Sequence, residues 1–169
     1  MLKLSQKYLD TLNHQLQHWH IIFVKRVKLV ANITKSKERV KKFGEVFTPI
    51  WVVNEMLDNL EKETDAFSDV AKTFLEPTCG NGNFVVEIYR RKLNRCKNDR
   101  NKAETALRSL WCIELLEDNM NECRKRVKDL FAYYGFEGLP FDEVFEKQFL
   151  IGNSLKIMKQ WENEEDDSF

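Results

Sequence analysis

Residues 74–84 read FLEPTCGNGNF, a stretch that combines apolar residues, one acid, one proline and two glycines separated by a single asparagine. The apolar residues predict a short buried strand, and the apolar spacing after Gly82 predicts an amphipathic helix. A glycine turn between a strand and a helix places backbone N–H groups at the carboxyl edge of a sheet, where ligands bind. Gly80 and Gly82 would allow a close approach that a side chain blocks. The stretch is a candidate ligand loop, although two glycines alone are also typical of an ordinary strand-to-helix turn.

Glu76 limits which ligands this loop could hold. A carboxylate at the end of the strand repels a phosphate, but it can hold an ammonium group or orient water around a cationic ligand. The loop also lacks the third glycine of the dinucleotide-binding pattern G-x-G-x-x-G/A, and no GK[ST] sequence of a P-loop follows it. These features argue against a dinucleotide site and against a P-loop.

A second acid, Glu114, ends the apolar stretch WCIEL further along the chain. An acid at the end of the second strand reaches the ribose hydroxyls of a nucleoside that lies over the first two strands. Alternatively, Glu114 is only an acid near a helix N-terminus, and Glu117 or Asp118 could take the role at the ribose.

The order of the predicted elements places both acids at one edge of a sheet. Three apolar segments predict strands at residues 73–77, 109–115 and 148–155, the last of which runs into a turn, and the patterns between them predict helices at residues 83–93 and 117–134. This alternation predicts an α/β fold with a parallel sheet and right-handed crossovers.

The length and composition fit one globular unit. The chain has 169 residues, of which 43% are hydrophobic, enough to bury a core. Its 27 basic and 27 acidic residues balance, but residues 25–42 are strongly basic and residues 161–169 are acidic. The basic segment could follow the backbone of DNA or be a solvated helix face. It comes after residues 2–24, whose apolar spacing predicts an N-terminal helix.

Several classes of protein are disfavoured. The sequence shows no signal peptide and no apolar run of about 18 residues, so we expect no membrane span. The four cysteines form no C-x-x-C pair, which favours reduced thiols and a cytoplasmic location. His14, His18 and His20 are closely spaced, but no nearby cysteine or carboxylate completes a set of metal ligands. We therefore predict no metal site.

Four segments together resemble a known family. FTP (47–49), LEPTCGNGNF (75–84), CIELLEDN (112–119) and LIGNSL (150–155) are similar, in order and in spacing, to the S-adenosylmethionine-binding motifs of adenine-N6 DNA methyltransferases, in the group whose cofactor motifs precede the catalytic one. The resemblance covers about residues 44–155, and the EPxCGxGxF pattern is its most specific part. It implies S-adenosylmethionine as cofactor. It also implies a truncated Rossmann-like methyltransferase fold, with a three-stranded parallel sheet, flanking helices and an N-terminal helical extension.

The resemblance also assigns roles to residues. It implies that Thr48 binds the cofactor's carboxylate, that Glu76 and the loop backbone bind on the methionine side, and that Glu114 binds the ribose hydroxyls. On the third strand the family usually has an acid that binds the adenine amino group, and Asn153 stands there. Its amide oxygen accepts the same bond without a charge, so binding would be weaker. The implied cofactor-binding residues are Thr48, Glu76, Pro77, Thr78, Cys79, Gly80, Gly82, Phe84, Glu114 and Asn153.

The catalytic motif of that family is missing. This motif, [D/N/S]-P-P-[Y/F/W], grips the amino group of a flipped adenine and stacks on its ring. Pro49, Pro77 and Pro140 are the chain's three prolines and none is adjacent to another, while GLPF (138–141) lacks the polar residue. We therefore predict no catalytic residue.

The resemblance thus implies the S-adenosylmethionine-binding part of a DNA adenine-N6 methyltransferase, of the restriction-modification kind, that is inactive without a chain supplying the catalytic motif. The alternative is a non-catalytic remnant of such an enzyme that binds the cofactor, DNA or a partner as a regulator.

The predicted organisation has three parts: a basic helical extension (1–43), an S-adenosylmethionine-binding domain (44–160) and an acidic tail (161–169). In a Rossmann-like sheet the fourth strand would pair beside the first, so without it the first strand has an open edge. The N-terminal helices, a second copy of the chain or a partner chain would have to cover that edge.

Overall fold

The computed structural model of the chain describes residues 33–166. The chain divides into two compact units, Met1–Pro49 and Ile50–Phe169. The predicted helix at residues 2–24, with its three histidines, and the first part of the basic segment lie outside the described residues.

The described part of the first unit contains one short helix, α1 (Lys37–Phe43). The Ser36 hydroxyl accepts a hydrogen bond from the Arg39 backbone N–H (3.1 Å) and caps its N-terminus. Gly44 ends the helix with a left-handed φ of 67°. The C-terminal part of the basic segment is therefore helical.

The second unit alternates helices and strands. In chain order its elements are α2 (Ile50–Glu63), β1 (Phe74–Glu76), α3 (Asn83–Cys96), α4 (Arg100–Leu107), β2 (Leu110–Glu114), α5 (Glu117–Tyr133), α6 (Phe141–Gln148), β3 (Phe149–Ile151) and α7 (Ser154–Asp166). Three of these helices, α4, α6 and α7, were not predicted, and α7 includes most of the predicted acidic tail. Among the described helices, none is both long and apolar enough to cross a membrane.

The three strands form one parallel sheet in the order β1-β2-β3. The α/β class and the three-stranded parallel sheet flanked by helices are confirmed. β1 and β3 are the edge strands, so within residues 33–166 no strand lies beside the outer edge of β1. Among the described strands, β1 therefore has a partner on one side only.

The two faces of the sheet are packed unequally. Leu110 and Cys112 of β2 are buried in the core that includes residues of α3 and α5. On the opposite face, Leu75 is 44% exposed and Trp111 is 36% exposed. Trp161 of α7 meets Trp111 edge to face, with ring centroids 5.7 Å apart. The helix α7 thus covers part of this second face.

A buried lysine joins α3 to the segments around β1 and β2. The Lys92 ammonium donates to the Val70 carbonyl (2.9 Å), the Ser109 hydroxyl (2.6 Å) and the Lys72 carbonyl. Its three donors therefore all have acceptors. Removal of the ammonium from water lowers the pKa of Lys92 to about 8. This contact supports the strand that leads into the glycine loop.

Candidate functional site

The glycine loop runs from Pro77 to Gly82, between β1 and α3. The Cys79 N–H donates to the Ile113 carbonyl (3.0 Å), which ties the start of the loop to β2. The Gly82 N–H donates to the Cys79 carbonyl (2.8 Å) and closes the turn. Gly80 and Gly82 have φ angles of 54° and 89°, a region that glycine occupies at low cost. The loop thus leads from the carboxyl end of β1 to the first turn of α3.

Gly82 packs directly on α5. A Cβ atom at this position would lie 2.6 Å from Cys123 Sγ and 3.1 Å from Cys123 Cβ. A contact of that length forces neighbouring atoms to move in a tightly packed interior. The close neighbour of this glycine is therefore a helix of the chain itself, a reason for the glycine that was not foreseen from the sequence.

Glu114 ends β2 next to the loop and is buried, with 8% of its surface exposed. Its Oε2 atom accepts from the Gly80 N–H (2.8 Å). Its Oε1 atom accepts from the Leu116 N–H (3.0 Å) and from the Asn119 side-chain amide (3.4 Å). A carboxylate offers about four lone-pair sites, two on each oxygen. Glu114 therefore fixes the loop and keeps one acceptor site on Oε2 for a hydroxyl donor.

Glu76 is a second carboxylate at this edge. It pairs in register with Cys112, two residues before Glu114, so the two acids lie on the same face of the sheet. The Thr78 N–H donates to Glu76 Oε1 (3.3 Å). Burial raises the pKa of Glu76 above its ordinary value, although the hydrogen bonds from Thr78 act in the opposite direction. The Glu76 carboxylate is therefore partly desolvated in the folded protein.

Backbone N–H groups of the loop are already occupied by the protein. The N–H groups of Thr78 and Gly80 donate to carboxylates, and that of Cys79 donates to a backbone carbonyl. A phosphate at this edge would meet two negative side chains where water is partly excluded, and the Coulomb repulsion would be large. The edge therefore suits hydroxyls and cations better than phosphates.

Cys79 can offer a ligand only its backbone. Its side chain is buried, and its thiol donates to the Gly80 carbonyl at 3.7 Å. The pKa of the Cys79 thiol is raised above its usual range, chiefly by its hydrogen bond with the Cys112 thiol and also by burial. A thiol with a raised pKa is a poor nucleophile. The four cysteines are buried free thiols: Cys79, Cys96, Cys112 and Cys123.

The remaining residues of the predicted set differ in their surroundings. Asn153 is exposed, and its Oδ1 atom accepts from the Lys156 N–H (3.1 Å), so it caps α7. An amide oxygen has two lone pairs, which leaves one for an adenine amino group. Pro77 is half-buried, and Phe84 packs on the core. Thr48 belongs to the other compact unit, Met1–Pro49.

Three polar residues of α5 that were not predicted from the sequence also belong to the site. Asn119 donates to Glu114, and Glu122 Oε1 accepts from the Asn81 side-chain amide (3.1 Å). Arg126 donates to the Asn81 carbonyl (2.6 Å). The three are spaced three and four residues apart, which places them on one helix face. That spacing was a signal available in the sequence.

A groove of about 720 Å³ lies elsewhere, between α5, α6 and β3. Basic and acidic side chains line it, and Lys128 pairs with Asp142 (2.8 Å) at its wall. None of the predicted cofactor-binding residues lines this groove. It is therefore distinct from the edge that carries the glycine loop.

In comparisons with known proteins, no family model, no curated protein and no solved structure matches this chain. In the part of the chain that the structure describes, no group of His, Cys, Asp and Glu side chains is arranged to hold a metal ion. The function therefore has to be inferred from the geometry of the loop and its two carboxylates.

Proposed function

We propose that the chain is the S-adenosylmethionine-binding part of an adenine-N6 DNA methyltransferase, with a truncated Rossmann-like methyltransferase fold, and that another chain supplies the catalytic motif. The observation that carries this proposal is the position of the Glu114 carboxylate. It lies where the middle strand of a parallel sheet ends, and it accepts a hydrogen bond from the Gly80 N–H (2.8 Å). An acid at this point of a doubly wound sheet is the group that accepts the hydroxyls of a ribose.

The chemistry of S-adenosylmethionine matches this edge. The molecule carries two ribose hydroxyls, a sulfonium cation and an ammonium group, and it has no phosphate. One ribose hydroxyl donates to the remaining acceptor site on Glu114 Oε2, and the cationic methionine part lies on the Glu76 side of the loop. A positive charge near Glu76 lowers the pKa that burial raises, so the cofactor offsets part of the cost of burying that acid.

Methyl transfer needs groups that these residues do not provide. The adenine must be gripped at its amino group and stacked on an aromatic ring, and the sequence has no adjacent prolines that could form the corresponding motif. In the doubly wound order a fourth strand pairs beside the first. A partner chain that adds its own strand at the open edge of β1 would bring its motif next to the loop. DNA would be held by that partner and by the basic segment at residues 25–42.

A second candidate function is favoured by Asn153. Its side chain caps α7 and carries no charge, so the adenine of the cofactor is held less strongly than by an acid. The chain would then be a non-catalytic remnant that binds the cofactor, DNA or a methyltransferase partner as a regulator. The two candidates differ in whether any second chain restores methyl transfer.

The first test is isothermal titration of the full chain with S-adenosylhomocysteine. We expect binding, and Glu114→Gln weakens it by about 1–3 kcal/mol because a hydroxyl of the ribose loses a charged acceptor. Glu117→Gln is the comparison variant, since Glu117 is the exposed acid in the first turn of α5 that could take the role at the ribose instead. This comparison variant should bind like the wild type.

Two results would contradict the proposal. One is the absence of any heat at millimolar ligand. The other is an equal loss of affinity in both variants, because it would show that the charge at Glu114 has no special role. Neither result depends on activity, so the missing motif does not affect the test.

A further inference from the structure

Asn81 lies in the glycine loop between Gly80 and Gly82, which both have left-handed φ angles. Glycines on both sides give this residue many alternative backbone conformations in the unbound loop. Yet its carbonyl accepts from Arg126 Nη1 (2.6 Å), and its side-chain amide donates to Glu122 Oε1 (3.1 Å). Both the backbone and the side chain of Asn81 are thus bonded to one helix.

The same helix contacts the next two residues of the chain. Arg126 Nη1 also donates to Asn83 Oδ1 (2.9 Å), and Cys123 lies against Gly82. Glu122 and Arg126 are four residues apart, so they project from the same face of α5. Hydrogen bonds in which one partner is ionised are roughly twice as strong as neutral ones. The helix therefore fixes three consecutive residues, at positions 81–83.

We propose that Arg126 and Glu122 are positioning residues that hold Asn81 so that the Gly80 N–H points at Glu114 and the loop is ready for its ligand. Neither side chain needs to touch the ligand. This inference rests on the proposed function, because the ligand in question is the cofactor. A loop that is already ordered binds more tightly, since less conformational freedom is lost on binding.

The chain contains a matched control for Arg126. Arg124 lies on the same helix and also donates to backbone carbonyls, those of Phe149 (2.7 Å) and Phe145 (3.4 Å). Its contacts are on the side of β3 and not at the loop. Arg124→Met and Arg126→Met therefore both remove a guanidinium that bonds to main-chain oxygens. Only Arg126→Met releases the loop.

The experiment measures S-adenosylhomocysteine affinity and local hydrogen exchange in both variants of the full chain. We expect Arg126→Met to weaken binding roughly tenfold, because it removes both charge-assisted hydrogen bonds to the loop, and Arg124→Met to leave it within about twofold. Peptides covering residues 78–84 should exchange faster in Arg126→Met alone. Both variants should lose similar global stability, so a general loss of structure cannot produce the difference.

A conservative variant adds a second check. Arg126 uses a single nitrogen, Nη1, for both of its loop contacts. The ammonium of Arg126→Lys also donates from a single nitrogen, so this variant should recover part of the affinity and part of the exchange protection that Arg126→Met loses.

The outcomes separate this inference from the proposed function. A wild-type chain with no affinity for S-adenosylhomocysteine contradicts the proposed function, while the exchange measurement still decides whether Arg126 orders the loop. A wild-type chain that binds, with Arg126→Met binding equally well and exchanging no faster at residues 78–84, overturns the positioning role. Equal effects of Arg124→Met and Arg126→Met on affinity and exchange would overturn it as well.

Discussion

Replacing Gly82 by alanine should destabilise the protein through a defined contact. The new Cβ would lie 2.6 Å from Cys123 Sγ and 3.3 Å from Cys123 Cα. The φ angle of 89° adds a second cost, because an L-residue is disfavoured there. The substitution therefore combines backbone strain with overpacking, and these two effects can be measured separately.

The magnitudes follow from these two effects. A left-handed φ costs a residue with a Cβ about 1–2 kcal/mol, and overpacking costs about 1–3 kcal/mol. Alanine also reduces the conformational entropy of the unfolded chain, which stabilises the folded protein by about 0.4–1 kcal/mol. Gly82→Ala should therefore lower the free energy of unfolding by roughly 1–4.5 kcal/mol.

Gly135→Ala is the control for strain alone. Gly135 has a φ of 77°, and a Cβ there would meet nothing within 4 Å. In urea denaturation, Gly82→Ala should cost about 1–3 kcal/mol more than Gly135→Ala, which is the overpacking contribution. In a Cys123→Ala background that excess should shrink by about 1 kcal/mol, since the sulfur is gone while Cβ remains.

An equal cost for Gly82→Ala and Gly135→Ala would contradict the predicted overpacking. It would mean that the loop moves away from α5 at no cost, so the packing of Gly82 on Cys123 would not hold the loop. An excess cost that does not change in the Cys123→Ala background would point to a different neighbour.

Four further predictions concern the core and the chemistry. Lys92→Met should lower the free energy of unfolding at pH 7 by about 1–3 kcal/mol, because buried acceptors lose their donor. The pKa of Lys92 is about 8 in the folded chain and 10.5 for an ordinary lysine. Between these two pH values the unfolded chain therefore binds more protons than the folded chain. In urea denaturation, the free energy of unfolding of the wild type relative to Lys92→Met should rise with pH across this interval. Tyr89→Phe removes the hydrogen bond to the Leu107 carbonyl (2.8 Å) and should cost about 1–2 kcal/mol in the same assay. The chain alone should transfer no labelled methyl group from S-adenosylmethionine to adenine in duplex DNA, because it has no motif to hold a flipped base; activity that copurifies with the chain would contradict this.

The strands and the loop were predictable because their signals are local. The stretch that contains β1 and the glycines begins as an apolar run, continues as a turn and ends with helical spacing of apolar residues. Each of these patterns can be recognised from residues only a few positions apart. The observed β1, β2 and α5 begin and end close to the predicted positions. Their parallel order followed from the alternation of strands and helices.

The helices α4 and α6 were missed for physical reasons. In α4 (Arg100–Leu107) the buried residues are Ala103, Ala106 and Leu107, and two alanines add little to an apolar pattern. In α6 (Phe141–Gln148) the pattern is short and joins β3 without a break, so its apolar residues resemble the start of the strand. Apolar periodicity over one or two turns does not distinguish a short helix from a loop or from the start of a strand.

The part of the site that could not be read from the sequence depends on tertiary contacts. Glu114 could be selected because it ends an apolar strand, but its bond to Gly80 joins residues that are distant in the sequence. The loop contacts of Glu122 and Arg126 likewise need the position of α5 against the loop. In the sequence these two charges look like an ordinary solvated helix face.

The most direct test of the proposed cofactor site uses the glycines themselves. The chain has six glycines, so selective ¹⁵N-glycine labelling gives a simple amide spectrum that can be assigned by substitution. Gly80 and Gly82 lie in the loop, whereas Gly135 follows the C-terminal end of α5, whose last residue, Tyr133, lies about 15 Å along the helix from Cys123, the neighbour of Gly82. Titration with S-adenosylhomocysteine should shift the Gly80 and Gly82 amide resonances and leave that of Gly135 unchanged. A titration that shifts no glycine resonance, or that shifts only Gly135, would contradict the proposed cofactor site.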